Sequence, residues 1–148
     1  MEAPRAYRPT PNDRTSVLHE LGVHTTATRD LIAAVKRGLG TAVFEGLSAR
    51  LGISEAELAG VTGISASTLL RRKKAGRLSA EESEHVLRVA TLLDAASRLF
   101  GSIGEGAAWL RSANTALGGA SPLAYADTEV GAREVENLLG RIAYGVYS

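Results

Sequence analysis

The sequence predicts an all-α fold, a helical bundle, on three observations. No proline occurs between Pro11 and Pro122, so a long interval is free of the residue that most strongly breaks helices. That interval is rich in Ala and Leu, which have high helix propensity. Its apolar residues recur at spacings of three and four rather than in alternation, the period of an amphipathic helix and not of a strand.

The chain has 148 residues, of which 45% are hydrophobic and 22% charged, with a mean hydropathy of +0.00. That is enough chain to bury a core, and the balance excludes both a disordered tail and a membrane protein. No stretch reaches the ~18 consecutive apolar residues of a membrane span, and no apolar run follows Met1-Glu2, so a cytoplasmic protein is expected. The absence of cysteine excludes disulfides, thiolate zinc sites, iron–sulfur clusters and thiol catalysis. Packing alone must stabilise the fold.

Residues 1–14 read as a mobile arm, with Pro4, Pro9 and Pro11 set among Arg5, Arg8 and Arg14. The first helix is expected to start at Thr28 as cap, carry Leu31, Ile32 and Val35 on one face and end at Gly38. A second spans Thr41 to Leu51, with Val43, Phe44, Leu47 and Leu51 inward and Gly52 as its stop. Ser54 and Glu57 form a capping box that opens a third helix, which places Leu58, Ala59 and Val61 in the core. Gly63 supplies the positive φ of a tight turn, and Ser65 caps a fourth helix running to Lys74. A second capping box, Ser79 and Glu82, opens a long helix to Phe100. Its stripe of Val86, Val89, Leu92, Leu93, Ala96 and Leu99 is too broad for one partner, which suggests a dimer interface. After Gly101 the glycines and Pro122 cut the chain into short pieces: a helix over 107–112, a loop carrying Asn114 and a last helix from Thr128 to Tyr144. Asn114 and Gly118-Gly119 suit a turn that needs positive φ, and Asp127 or Thr128 caps the last helix. Its stripe of Val135, Leu138, Leu139, Ile142 and Val146 packs inward, and Trp109 anchors a small core.

The net charge of +1 conceals a segregation. Between Ile64 and Arg77 stand Arg71, Arg72, Lys73, Lys74 and Arg77 with no acid, whereas residues 53–63, 78–100 and 101–148 each carry a net charge of −2. A basic island in an otherwise acidic chain marks a polyanion contact. Residues 58–70, Leu-Ala-Gly-Val-Thr-Gly-Ile-Ser-Ala-Ser-Thr-Leu-Leu, resemble an Xre-type helix-turn-helix. Ala59 lets the two helices cross closely, and Leu58, Ile64 and Leu69 fill the wedge between them. The candidate DNA-binding residues are Ser65, Ser67, Thr68, Arg71, Arg72, Lys73, Lys74 and Arg77. The helix capped by Ser65 has Thr68 at its third position, where the two capping boxes carry an acid that would repel phosphate. Arg71 or Arg72 is expected to read bases, by bidentate contact to guanine, while the lysines suit phosphate. Four consecutive cations cannot all face DNA, so some must meet solvent or acids elsewhere. Arg72 stands where the motif often carries an apolar residue, leaving Leu70 or Leu78 to close the wedge. A single motif buries too little for tight specific binding, so a homodimer on two half-sites is the expected unit.

The last forty residues carry Trp109-Leu110, Asn114-Thr-Ala-Leu-Gly-Gly, Pro122-Leu123, Asp127-Thr128, Gly131, Glu134-Val135, Leu138-Leu139-Gly140-Arg141-Ile142 and Gly145-Val146-Tyr147-Ser148. This set resembles the C-terminal toxin-binding domain of the Xre/MbcA/ParS antitoxins that pair with RES-domain toxins. The resemblance implies a type II antitoxin with a region at 15–100 for DNA binding and dimerisation and one at 101–148 that binds the toxin. It further implies a cognate RES-domain toxin that consumes NAD⁺, operator DNA as the second partner and repression of the operon. Tyr144, Val146 and Tyr147 crowd apolar and aromatic surface into a terminus that ordinarily frays. The expected toxin-binding residues are Arg141, Tyr144, Gly145, Val146, Tyr147 and Ser148, with the terminal carboxylate directed at basic groups of the toxin. The alternative is a stand-alone transcriptional regulator whose C-terminal half dimerises or senses a ligand.

No enzyme is indicated. His19, His24 and His85 lack metal-ligand spacing, the glycines at 38 and 40 do not follow a strand as a phosphate loop requires, and the carboxylates scatter over solvated faces. No cofactor is expected.

Overall fold

The structure is a computed structural model that describes residues 16–25 and 27–145. The arm at 1–14 and the end residues Val146, Tyr147 and Ser148 lie outside the described residues. Among the described residues the helices are α1 (Val17–Glu20), α2 (Thr28–Arg37), α3 (Thr41–Leu51), α4 (Glu55–Thr62), α5 (Ala66–Ala75), α6 (Ala80–Phe100), α7 (Ile103–Arg111), α8 (Pro122–Tyr125) and α9 (Glu129–Ala143), with a 3₁₀ turn at Thr115–Leu117. The all-α reading stands.

Most caps follow from side chains as anticipated. Ser54, Ser65, Ser79 and Thr128 each accept from the amide three residues on. The full reciprocal box forms only at Ser79, where Glu82 accepts from the Ser79 amide at 2.8 Å. At Ser54 the hydroxyl instead donates to the Glu57 carboxylate at 3.2 Å. Thr28 is the first residue of α2 rather than its cap; Ala27 holds that place without a side-chain bond. The Thr25 hydroxyl takes over the role, accepting from the Ala27 amide and donating to Asp30. The helix α1, not anticipated, is capped by Ser16 and docked by the Val17 amide donating to Asp94 Oδ1 at 2.9 Å. Asn114 keeps a negative φ of −129° and caps the 3₁₀ turn, so only Gly118 and Gly119 supply the positive φ expected there.

The breadth of the apolar stripe on α6 has a cause within the subunit. The helices α1, α2, α3, α4, α7 and α9 all pack on α6, and Val86, Val89, Leu92, Leu93 and Ala96 are fully buried. That stripe is therefore not the dimer surface expected from its width. One apolar core runs from Phe44 and Leu58 through α6 to Leu110 and Val135.

The helices α6 and α7 approach closely in this core. A Cβ added at Gly106 would sit 2.6 Å from the Ser97 amide nitrogen and 2.9 Å from the Ala96 carbonyl carbon, both backbone atoms that cannot turn aside. Gly106→Ala should therefore lower the thermal midpoint, although Ala is favoured over Gly by about 1 kcal/mol in an open helix; a rise would show that the helices can separate at no cost.

Candidate nucleic-acid and partner interfaces

The α4–turn–α5 unit closes as its sequence suggests. Leu58, Ala59, Ile64 and Leu69 are buried between the helices. Gly63 takes φ 71°, and the Ile64 amide donates to the Ala59 carbonyl at 2.9 Å, which reverses the chain. Leu78, also buried, completes the wedge. Leu70 does not: it is 60% exposed, because two successive helical residues point about 100° apart and Leu69 already faces inward.

The same geometry sorts the cations. Ser67, Arg71 and Lys74, spaced four and three residues apart, form an outward ridge opposite Leu69, and all three are exposed. Arg72 and Lys73 flank Leu69 and meet acids of the same chain. Arg72 Nε donates to Glu82 Oε1 at 2.8 Å, and its second nitrogen reaches Oε2 at 3.4 Å. Lys73 Nζ pairs with Glu55 at 2.6 Å and lies 3.8 Å from Glu45. Arg77 donates to the carbonyls of Arg37 and Gly38 at the end of α2, where the helix dipole favours a cation. The Ser65 hydroxyl donates to Thr68 at 2.9 Å and lies 3.3 Å from Ser67, so three hydroxyls gather at the start of α5. Leu70, offered by the sequence as a wedge residue, lies exposed beside the ridge instead. The available signal was the Leu69-Leu70 pair, of which only one member can face the core.

Two groups here titrate away from their usual values. Burial acts to raise the Glu82 pKa, but hydrogen bonds from Arg72 and Ser79 and the Arg72 charge outweigh it, so the carboxyl titrates below 4.5. The hydrogen bond to Glu55 raises Lys73 above 10.5, opposed by desolvation and helped by the charges of Glu55 and Glu45. A carboxyl with a depressed folded pKa adds stability that is complete above its unfolded pKa and is lost as pH falls through the folded one. Glu82→Gln should therefore be less stable than the parent in urea near neutral pH. The gap should close as pH falls through the lowered folded-state pKa of Glu82; a gap that persists in stronger acid would mean the carboxylate charge is not its source.

In the C-terminal half, Trp109 packs half-buried against Phe100 with ring centroids 5.4 Å apart, as a core anchor. Val135, Leu138 and Leu139 are buried, and Ile142 packs at the core edge. Tyr144 is 53% exposed and Gly145, exposed, turns the chain at φ 67°. Arg141 is half-buried on α9. Beside Tyr144 a groove of about 360 Å³ runs between α6 and α9, lined by Ala95, Leu99, Leu139 and Ala143. Val130, 78% exposed, was not singled out from the sequence. It lies two heptads before Tyr144, with exposed Asn137 between them, so the three share one stripe of α9. Among the described residues no group of three or more His, Asp or Glu side chains could hold a metal ion, and no helix is long and apolar enough to cross a membrane.

Both halves match known families. Residues 30–91 match the antitoxin Xre-like helix-turn-helix domain, and residues 95–145 match the antitoxin Xre/MbcA/ParS C-terminal toxin-binding domain. The chain is 37% identical over 147 residues to the protein named antitoxin Xre of Yersinia enterocolitica, covering 97% of this chain and 99% of that one. It is 28% identical over 130 residues to antitoxin Xre of Photorhabdus laumondii, covering 86% and 88%. These relationships point to a regulatory protein rather than an enzyme, and the chain belongs to the Xre antitoxin family, with a helix-turn-helix domain followed by a toxin-binding domain.

Proposed function

We propose that this antitoxin acts in the cytoplasm, blocks a RES-domain toxin that degrades NAD⁺ and, as a homodimer, binds operator DNA to repress the operon encoding both. In this reading residues 15–100 bind DNA and dimerise, and residues 101–148 hold the toxin. The observation that carries it is the position of Leu70, Val130 and Tyr144, the three most exposed large apolar side chains among the described residues. Leu70 lies beside the basic ridge of α5, and Val130 and Tyr144 lie on the outward stripe of α9 that leads into the chain's end. Large apolar side chains left exposed on the outward face of a helix are what a protein partner covers. In this reading toxin contact runs through Arg141, Tyr144 and Gly145 and continues to Val146, Tyr147 and Ser148.

On DNA, Arg71 reads a base edge and Lys74 neutralises phosphate. Ser67 and Thr68 donate at the positive end of α5, Ser65 contributing less because its hydroxyl caps the helix and donates to Thr68, and Leu70 meets a thymine methyl. Arg72, Lys73 and Arg77 contribute less, since each already has a partner in its own chain.

Co-expression with the product of the adjoining reading frame, followed by tag purification, tests the toxin assignment. A stable pair that preserves cellular NAD⁺ is expected; failure of the two to associate would favour the stand-alone regulator. Removing residues 144–148, or introducing Val130→Asp, should abolish or weaken neutralisation while operator binding persists. Arg71→Ala should cost about 1–3 kcal/mol of operator affinity and relax specificity at one position, whereas Lys74→Ala should weaken all sequences alike and reduce the salt slope by about 1. Equal effects of the two on every sequence would remove Arg71 as a reader.

A further inference from the structure

The helix α5 buries a single side chain, Leu69. One apolar anchor fixes the position of a helix but not its roll or tilt, because a helix can pivot about one contact. The next inward residue is Arg72, one turn along, and it is held by two nitrogens on the two oxygens of Glu82. A bidentate guanidinium–carboxylate fork fixes direction as well as distance. Glu82 is itself immobilised: it is the third residue of α6, its Oε1 accepts from the Ser79 amide at 2.8 Å, and its own amide donates to the Ser79 hydroxyl at 3.1 Å. Its side chain is only 15% exposed. Three residues further along α6, the His85 Nδ1–H donates to the Thr62 carbonyl at 2.8 Å, which ties the end of α4 to the same helix. Each helix of the DNA-binding unit thus has one polar tether to the first two turns of α6.

From this we infer that Glu82 is a positioning residue for operator recognition: through the Arg72 fork it sets the angle at which α5 presents Ser67, Arg71 and Lys74, and Arg72 serves as its strut rather than as a DNA contact. The inference rests on the DNA-binding reading above. It assigns a specificity role to an acid outside the helix-turn-helix. The energetic logic is that of orientation: a bidentate contact from Arg71 to a base edge tolerates little angular error, whereas phosphate contacts of Lys74 tolerate more.

The test compares Glu82→Gln, Arg72→Gln and their double variant by titrating the full chain onto operator and non-operator duplexes across a salt series. Glu82→Gln retains an oxygen for the Ser79 amide, and Arg72→Lys, which leaves the α6 cap untouched, retains the charge without the fork. Each of the four is expected to lose about tenfold in operator affinity, with non-operator affinity and the salt slope unchanged and the double variant no weaker than a single one. Thermal melts accompany each titration, and Arg72→Lys carries the test should Glu82→Gln unfold. A salt slope reduced by about 0.9 in Arg72→Gln, together with full rescue by Arg72→Lys or tighter binding by Glu82→Gln, would make Arg72 a direct phosphate contact and overturn the inference. Unchanged operator affinity in all variants, with Arg71→Ala still impaired, would also overturn it while leaving the DNA-binding reading intact. If the parent chain retards no promoter duplex even at low salt, that reading falls, and this inference with it.

Discussion

Burying a helix on nearly every side requires that apolar surface cover it and that each polar group near it find a partner inside the fold. The 21-residue helix α6 meets both conditions. Val86, Val89, Leu92 and Leu93 each contribute about 1.5–3 kcal/mol by full burial. Two of its polar residues accept from backbone amides of other elements. Ser83 accepts from the buried Leu39 amide at 2.8 Å, and Asp94 accepts from the Val17 amide while pairing with Arg98 at 2.9 Å. Small residues where α7 crosses, Ala96 and Gly106, bring the two backbones together. Both halves pack on this one rod: the helix-turn-helix is tethered to its first two turns, and α7 and α9 pack against it.

What was legible in the sequence is what local physics decides. Caps at Ser54, Ser65, Ser79 and Thr128, stops at Gly52 and Gly63 and the inward faces of α3, α4 and α9 follow from spacing and from side chains that satisfy nearby amides. What was illegible depends on contacts distant in the chain. The width of the α6 stripe announces multiple neighbours, but periodicity cannot say whether they belong to the same subunit. The short helix α1 owes its place to Asp94, 77 residues away. The even run Arg71-Arg72-Lys73-Lys74 gives no hint that its middle members are bound to Glu82 and Glu55 while its outer members face solvent, since their acids come from two other helices.

That sorting changes the meaning of the basic island. A local charge of +5 describes the sequence from Ile64 to Arg77. The surface presented outward is narrower, an Arg and a Lys on one ridge with serine hydroxyls at its head. Charge held by neighbouring carboxylates attracts polyanions less at a distance, so discrimination falls to a small number of well-aimed groups. The toxin-binding half has a comparable economy: among its described residues most of the apolar content is committed to the core, and Val130, Tyr125 and Tyr144 are the large apolar side chains left exposed.

The continuity of the interior from Phe44 to Val135 carries a consequence for how the molecule fails. Two modules joined by a flexible tether melt separately, and one can be lost while the other persists. Here they share a spine, so the carboxyl-terminal helices cannot peel away without uncovering the apolar flank on which the DNA-reading unit rests. Damage at one end is felt at the other: a chain that unravels in its toxin-binding portion strips the support from its helix-turn-helix in the same cooperative event.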